Sequence, residues 1–222
     1  AAVAPEGSDG EVCARLFTTD AARPVRVHEN RATVVGGAFY ARSNEDGLPI
    51  RSATTYIRAY DFRFDGNTAP NGPLAFMDGD DVLGSHGGSE FAMNRNTLSS
   101  TCDEPLFELG RVPCSDAQAC NRIENNRAED AGGQPSNGNV FEMRHGSIVR
   151  ATRLRVSGNT GTRLFGWSDG DSSYLVLEDC ALVGNTLTQE LFRGFHDGFL
   201  AMRRCTVGGN AIGAGAVVRF DD

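Results

Sequence analysis

A twelve-residue phrase that occurs twice near the end of the chain constrains the fold more than any other feature of the sequence. Residues 175–186 read LVLEDCALVGNT and residues 200–211 read LAMRRCTVGGNA, with apolar residues at matching positions. The next-to-last residue of each copy is an asparagine, and Asn185 and Asn210 are 25 residues apart. Repeats of this length are typical of proteins that stack one short structural unit on the next. The phrase therefore predicts a stacked-repeat fold.

The core of the phrase recurs upstream as two apolar residues, separated by one position and followed three positions later by an asparagine. Val25 and Val27 precede Asn30 in this way, and a weaker copy leads from Ile123 to Asn126. The seven asparagines of the pattern lie at spacings of 37, 29, 30, 33, 26 and 25 residues: Asn30, Asn67, Asn96, Asn126, Asn159, Asn185 and Asn210. Between them are short apolar or aromatic runs bounded by Gly, Asp and Asn, which is the pattern of β-strands and turns.

Two or three short strands in each repeat predict an all-β fold, a right-handed parallel β-helix solenoid of about seven to eight coils, with strands of successive coils about 4.8 Å apart. Equivalent side chains then stack in columns. The column five residues before the asparagines is expected to hold Val25, Phe62, Phe91, Asn121, Leu154, Cys180 and Cys205. The column three residues before them is expected to hold Val27, Phe64, Met93, Ile123, Val156, Leu182 and Val207. An inward column of phenylalanines is expected at Phe17, Phe39, Phe76, Phe107, Phe141, Phe165 and Phe192.

Asparagines at one corner of every coil can hydrogen-bond to each other and form a ladder along the stack. The alternative is that they are turn residues that tolerate a left-handed backbone. Both readings leave the predicted fold unchanged.

The net charge and the cysteine content indicate the compartment in which the protein is found. The net charge of −8 argues against a nucleic-acid-binding protein, and no apolar run approaches the roughly 20 residues of a transmembrane helix. The sequence begins AAVAP, which resembles the mature end left when a signal peptide is cleaved. Six cysteines form an even set, as in oxidising compartments. We expect an extracellular or cell-surface protein, exported through a cleaved signal peptide.

One domain is expected over residues 13–222, preceded by a flexible arm at residues 1–12. A less regular insert at about residues 99–139 carries three cysteines, and disulfides are expected there. Cys114 and Cys120 are close enough in sequence to close a small loop, and Cys13 with Cys102 is a further candidate pair. Cys180 and Cys205 fall in one column of adjacent coils, within disulfide range. They can equally remain reduced apolar residues of the core, and the sequence leaves both readings open.

The motif Gly36-Gly37-Ala38-Phe39, followed by Phe64-Asp65-Gly66-Asn67, resembles the repeats of bacterial polymorphic outer-membrane proteins. These belong to the wider pectate-lyase-like superfamily of right-handed β-helices. The resemblance in repeat pattern covers roughly residues 13–222. It implies an exported, adhesin-like solenoid.

The residues indicate little catalytic chemistry. Enzymes of this superfamily need paired carboxylates, or calcium-binding carboxylates with an arginine, on one face; no such set stands out, and no catalytic residue is predicted. Calcium is a weak candidate ligand, because Asp78, Asp80, Asp169 and Asp171 alternate around glycines as oxygen ligands could. The same Asp-Gly pairs are common turn signals. No other cofactor is expected.

The function expected from these features is a secreted or cell-surface, non-enzymatic protein with a structural or adhesive role. The alternative is a carbohydrate-active enzyme or a carbohydrate-binding module, with a surface polysaccharide as partner, which an exposed row of aromatic residues over neighbouring coils would favour. Both ends of the sequence lie inside the repeat. A longer solenoid, unrecognised capping loops, or head-to-tail stacking of copies into a filament would each explain this.

Overall fold

The computed structural model describes residues 12–16, 25–42, 55–59, 62–78, 90–93, 121–144, 148–167, 174–195, 199–213 and 215–221. Regular structure in these residues consists of β-strands. The described part of the chain contains no helix, and so none with the length and apolarity needed to cross a membrane. The all-β class predicted from the alternating apolar pattern is confirmed.

The strands fall into six successive sets, which we call circuits. Circuit one contains β1 (Val12–Leu16), β2 (Val25–His28) and β3 (Phe39–Arg42). Circuit two contains β4 (Thr55–Ala59), β5 (Phe62–Asp65), β6 (Thr68–Ala69) and β7 (Ala75–Asp78). Circuit three contains β8 (Glu90–Met93), β9 (Asn121–Glu124), β10 (Arg127–Ala128) and β11 (Phe141–Arg144). Circuit four contains β12 (Ile148–Thr152), β13 (Leu154–Ser157), β14 (Thr160–Gly161) and β15 (Phe165–Trp167). Circuit five contains β16 (Tyr174–Glu178), β17 (Ala181–Val183), β18 (Thr186–Leu187) and β19 (Phe192–Phe195). Circuit six contains β20 (Phe199–Arg203), β21 (Thr206–Gly208), β22 (Ala211–Ile212) and β23 (Val218–Asp221).

Corresponding strands of successive circuits pair in parallel and form four sheets. Sheet A has the order β1-β4-β8-β12-β16-β20, and sheet B the order β2-β5-β9-β13-β17-β21. Sheet C contains β6, β10, β14, β18 and β22, and sheet D contains β3, β7, β11, β15, β19 and β23. The pairing is offset by one whole repeat, so Leu175 pairs with Leu200 and Leu182 with Val207. The two copies of the C-terminal phrase therefore lie directly over each other.

The described strands make six circuits, where the asparagine spacing predicted about seven to eight coils. The excess comes from residues 91–93, because the sequence pattern predicts that they lie in the same column as the other copies. The structure places them in sheet A, where Phe91 pairs with Ile57 and Val149. The columns before the asparagines therefore omit Phe91 and Met93: Phe62 lies next to Val25, and Phe64 lies between Val27 and Ile123.

The interior is filled by stacked apolar side chains, as the strand alternation predicted. In sheet D, Phe141, Phe165 and Phe192 are in register and buried, with ring centroids 5.6 Å apart at each step. The expected place of Phe76 in this column is wrong, because Ala75 pairs with both Phe39 and Phe141. Phe17 and Phe107 lie outside the described residues.

A left-handed residue marks the corner after the sheet B strand in every circuit. The residue before each paired asparagine has a positive φ of between 56° and 67°: Glu29, Gly66, Asn125, Gly158, Gly184 and Gly209. This conformation turns the chain sharply, and glycine adopts it without a steric penalty. The corner thereby places each asparagine at the same point of its circuit.

Part of the predicted irregular insert is regular. Residues 121–139 contain β9 and β10, and β9 pairs with β5 on one side and β13 on the other. Val12, the last residue of the arm expected at residues 1–12, is instead the first residue of β1. Residues 1–11 lie outside the described residues, as do residues 94–120, which include the first part of the insert.

Candidate functional site

Six asparagines form one continuous hydrogen-bonded column at the corner after sheet B. In each step the side-chain Nδ2 of one asparagine donates to Oδ1 of the asparagine in the next circuit, at 2.9–3.0 Å. The backbone N–H of the same asparagine donates to that oxygen as well, at 2.9–3.2 Å. The column runs through Asn30, Asn67, Asn126, Asn159, Asn185 and Asn210. Asn96, the seventh predicted member, lies outside the described residues.

Each asparagine after Asn30 also bonds to the circuit before it. Asn185 Nδ2 donates to Val156 O at 3.1 Å, and Asn210 Nδ2 donates to Leu182 O at 2.8 Å. The amide therefore ties sheet B of one circuit to the corner of the next. The left-handed residues precede the asparagines and are not the asparagines themselves. The column therefore rests on side-chain hydrogen bonding and not on a tolerance of turn geometry.

The two ends of this column differ chemically. Every step has the same direction, from donor in the earlier circuit to acceptor in the later one. Asn30 Oδ1 consequently receives no hydrogen bond from the residues that the structure describes, while it donates from N and Nδ2. At the other end, the backbone N–H of Asn210 has no acceptor in the same part of the chain. One end thus presents an acceptor and the other a donor.

The last described circuit exposes its apolar edge. Leu182 is 0% exposed, whereas Val207, which pairs with it in the next circuit, is 37% exposed. The same contrast holds for Phe192, which is buried, and Val218, which is exposed. Positions that face the core in inner circuits are therefore open to solvent at this edge.

An arginine column on the outer face of sheet B was not predicted from the sequence. Arg26, Arg63, Arg122 and Arg155 are in register in four successive strands. The sequence does contain a sign of this column, because an arginine stands between the two apolar residues in several copies of the repeat. The charges that lie beside each arginine, however, belong to neighbouring circuits. This face lies on the opposite side of its strands from the core.

Two other ion-pair groups lie at circuit corners. Arg204 donates to both carboxylate oxygens of Asp179, at 2.6 and 2.8 Å, and this pairing holds the pKa of Asp179 below its ordinary value. At the corner between sheets C and D, Arg163 Nε donates to Glu190 at 2.9 Å. Burial acts to raise the pKa of Glu190, but hydrogen bonds from its own backbone and from Arg163 hold it below the ordinary value. These pairs fasten adjacent circuits.

The two described cysteine side chains are free thiols. Cys180 is buried and its Sγ donates to Glu178 O at 3.2 Å, while Cys205 Sγ donates to Leu177 O at 3.4 Å. Burial raises the pKa of the Cys180 thiol to about 12. The reduced alternative is thus the one seen for this pair. The other proposed pairings, Cys114 with Cys120 and Cys13 with Cys102, lie outside the described side chains.

The described ranges include one of the four predicted calcium ligands, Asp78. Asp78 ends β7, and Asp80, Asp169 and Asp171 lie outside the described ranges. In the part of the chain that is described, no three His, Cys, Asp or Glu side chains are grouped as a metal site would need. Calcium binding stays a prediction.

Two aromatic side chains are exposed on neighbouring strands of sheet A. Tyr174 is 38% and Phe199 49% exposed, and their ring centroids are 5.9 Å apart. The strand register pairs them directly. The pair forms a small aromatic surface that spans circuits five and six.

Comparison with known proteins does not extend this picture. No protein family, no curated protein and no solved structure matches the chain.

Proposed function

We propose that the chain is a right-handed parallel β-helix of the pectate-lyase-like type, similar to polymorphic outer-membrane repeats, with a non-enzymatic structural or adhesive role outside the cell or on its surface. The parallel sheets and the one-repeat offset of their pairing support this fold. The observation that carries the role is the asparagine column, which runs unbroken through six circuits. The paired strands of all four sheets also join neighbouring circuits. A protein whose circuits are joined in this way is suited to a structural role.

The proposed mode of assembly is head-to-tail stacking of copies. The donor at Asn210 and the acceptor at Asn30 are complementary, so circuit six of one copy can continue the column into circuit one of the next. The exposed edge at Val207 would then be covered as Leu182 is covered within the chain. A contact between two different surfaces does not close on itself, and it extends into a filament.

Sedimentation velocity of the 222-residue chain over a micromolar concentration range tests this assembly. We expect the sedimentation coefficient to rise with concentration, and the rise to be lost in Val207→Asp, which places a charge in the joint. Val183→Asp is the matched control, because Val183 lies in β17 beside inward-facing Leu182 and away from this edge. A concentration-independent monomer in the unmodified chain would refute the proposal.

Carbohydrate binding is a second candidate, favoured by the exposed pair Tyr174 and Phe199. Aromatic faces of this kind can pack against sugar rings, and the pair spans two circuits. Electrophoresis in gels containing neutral or acidic polysaccharides tests it. Retardation that is lost in Tyr174→Ala/Phe199→Ala would support binding, and equal mobility in all gels would exclude those glycans as partners.

A further inference from the structure

The outer face of sheet B carries two parallel columns of charged and polar residues. The first is the arginine column, Arg26, Arg63, Arg122 and Arg155. The second lies two residues further along each strand and therefore on the same face. It consists of His28, Asp65, Glu124 and Ser157, which are in register with each other.

In the early circuits the second column neutralises the first. Asp65 Oδ2 lies 3.4 Å from Arg26 Nη2 and 3.4 Å from Arg63 Nε. Glu124 Oε2 also lies 3.4 Å from Arg63 Nε. A carboxylate thus stands between Arg26 and Arg63, which belong to neighbouring circuits. The fold itself shows that one anionic group can serve two arginines of this column.

The pattern changes at Ser157, where the acidic column ends. The Ser157 hydroxyl is neutral and donates to Glu124 Oε1 at 3.4 Å. Arg122 and Arg155 pair directly across strands β9 and β13, and neither makes an ion pair with any residue that the structure describes. Both are partly exposed, so a dissolved anion can reach them. Like charges directly opposite each other in a sheet repel, which favours an anion between them.

We propose that Arg122, Arg155 and Ser157 form a binding site for a tetrahedral oxyanion, a sulfate or phosphate group. Guanidinium groups bind such oxyanions through paired, charge-assisted hydrogen bonds. Two of them, one strand spacing of about 4.8 Å apart, can share one anion as Arg26 and Arg63 share Asp65. The Ser157 hydroxyl has a single proton, so it contributes to the site by donating to the anion in place of Glu124 Oε1. The site goes beyond the proposed assembly and does not depend on it, since it lies on the side of the stack.

Two kinds of ligand carry such an anion: a free inorganic ion, and a glycan with sulfate or phosphate ester groups. Titration calorimetry with sodium sulfate represents the first source. Dextran sulfate represents the second, with neutral dextran as the blank. Binding of either probe at the site supports the proposal and identifies the source; binding of neither overturns it.

Three variants assign any binding to these residues. Ser157→Glu extends the acidic column by one residue, and the new carboxylate should compete with the dissolved anion for Arg122 and Arg155. The substitution should leave the fold intact. Arg122→Gln/Arg155→Gln removes the two ligating charges. Each should weaken binding about tenfold or more, the effect of losing one charge-assisted hydrogen bond. The control is Arg127→Gln, which removes an exposed arginine already paired with Glu129.

Thermal unfolding gives an independent readout. Sulfate raises the stability of many proteins through exclusion from the surface, and this general effect should be equal in all variants at matched ionic strength. Sulfate bound at the site should raise the unfolding temperature further in the unmodified chain and in Arg127→Gln. The increase should be absent in Ser157→Glu. An undiminished sulfate effect or undiminished dextran sulfate binding in Ser157→Glu would overturn the assignment.

Discussion

Replacing Asn185 with alanine tests how much the asparagine column contributes to stability. Asn185 is buried, and its side chain makes hydrogen bonds on both sides. Its Oδ1 accepts from the backbone N–H and from Nδ2 of Asn159, both at 3.0 Å. Its Nδ2 donates to Val156 O and to Asn210 Oδ1. Asn210 Oδ1 keeps the backbone N–H of residue 185 as a donor, so three buried groups lose a partner: two donors of Asn159 and one carbonyl.

Each buried polar group left without a partner costs about 1–3 kcal/mol. Three such groups at the lower end of the range predict a loss of about 3 kcal/mol in the free energy of unfolding. Asn185→Asp separates the two functions of the amide, because a carboxylate still accepts from Asn159 but cannot donate to Val156 or Asn210. We expect it also to destabilise the protein, since the oxygen that replaces Nδ2 faces two acceptors.

Urea unfolding followed by circular dichroism measures these changes. Asn30→Ala is the matched control, because Asn30 belongs to the same column but is exposed and bonds on one side only. It should cost less than about 1 kcal/mol, the net value of a typical hydrogen bond. If Asn185→Ala and Asn30→Ala cost the same, the column does not hold the circuits together and the reasoning fails.

Two further predictions concern the core. Phe165→Ala should cost about 3–5 kcal/mol by the same measurement, because Phe165 is packed between Phe141 and Phe192; a loss below about 1 kcal/mol would contradict the sheet D register. Because burial raises the pKa of the Cys180 thiol from 9.0 to about 12, the folded state favours the neutral thiol, and its contribution is complete below about pH 9 and lost between pH 9 and pH 12. The stability of Cys180→Ala should therefore fall less steeply than that of the unmodified chain over this range, and identical slopes would show that this thiol does not titrate in the folded state as its burial requires.

The strand content and the stacking of the last three circuits follow from the sequence because their repeats are short and nearly equal. Asn159, Asn185 and Asn210 are 26 and 25 residues apart, so the period identifies the corner directly. The left-handed corner is also visible, since Gly158, Gly184 and Gly209 precede them. Period and turn chemistry point to the same register, and the structure has that register.

The sequence is ambiguous where neighbouring circuits decide the outcome. The phrase at Phe91 and Met93 has the same apolar alternation as the copies in sheet B, because strands of sheets A and B both bury every second residue. Only pairing with Ile57 and Val149 places it in sheet A. The wrong prediction for Phe76 has the same cause. Leu74 and Phe76 show the expected alternation, but Ala75, one residue before Phe76, is the residue that pairs with Phe39 and Phe141. The surroundings of Arg122 and Arg155 likewise depend on which residues lie one circuit away.

The connections from sheet D to sheet A vary in length more than the strands they join, which have three to five residues. They are residues 43–54, 79–89, 145–147, 168–173 and 196–198, and each leaves one circuit and enters the next. Parallel pairing fixes the two ends of such a connection but places no demand on the number of residues between them, and the entropic cost of a longer loop rises slowly. Added residues in these connections are therefore expected to leave the register of the flanking strands unchanged. Because all five connections join the same two sheets, the strand ends that anchor them recur once per circuit. Peptide segments grafted between those ends would therefore be attached to the protein at the spacing of its circuits.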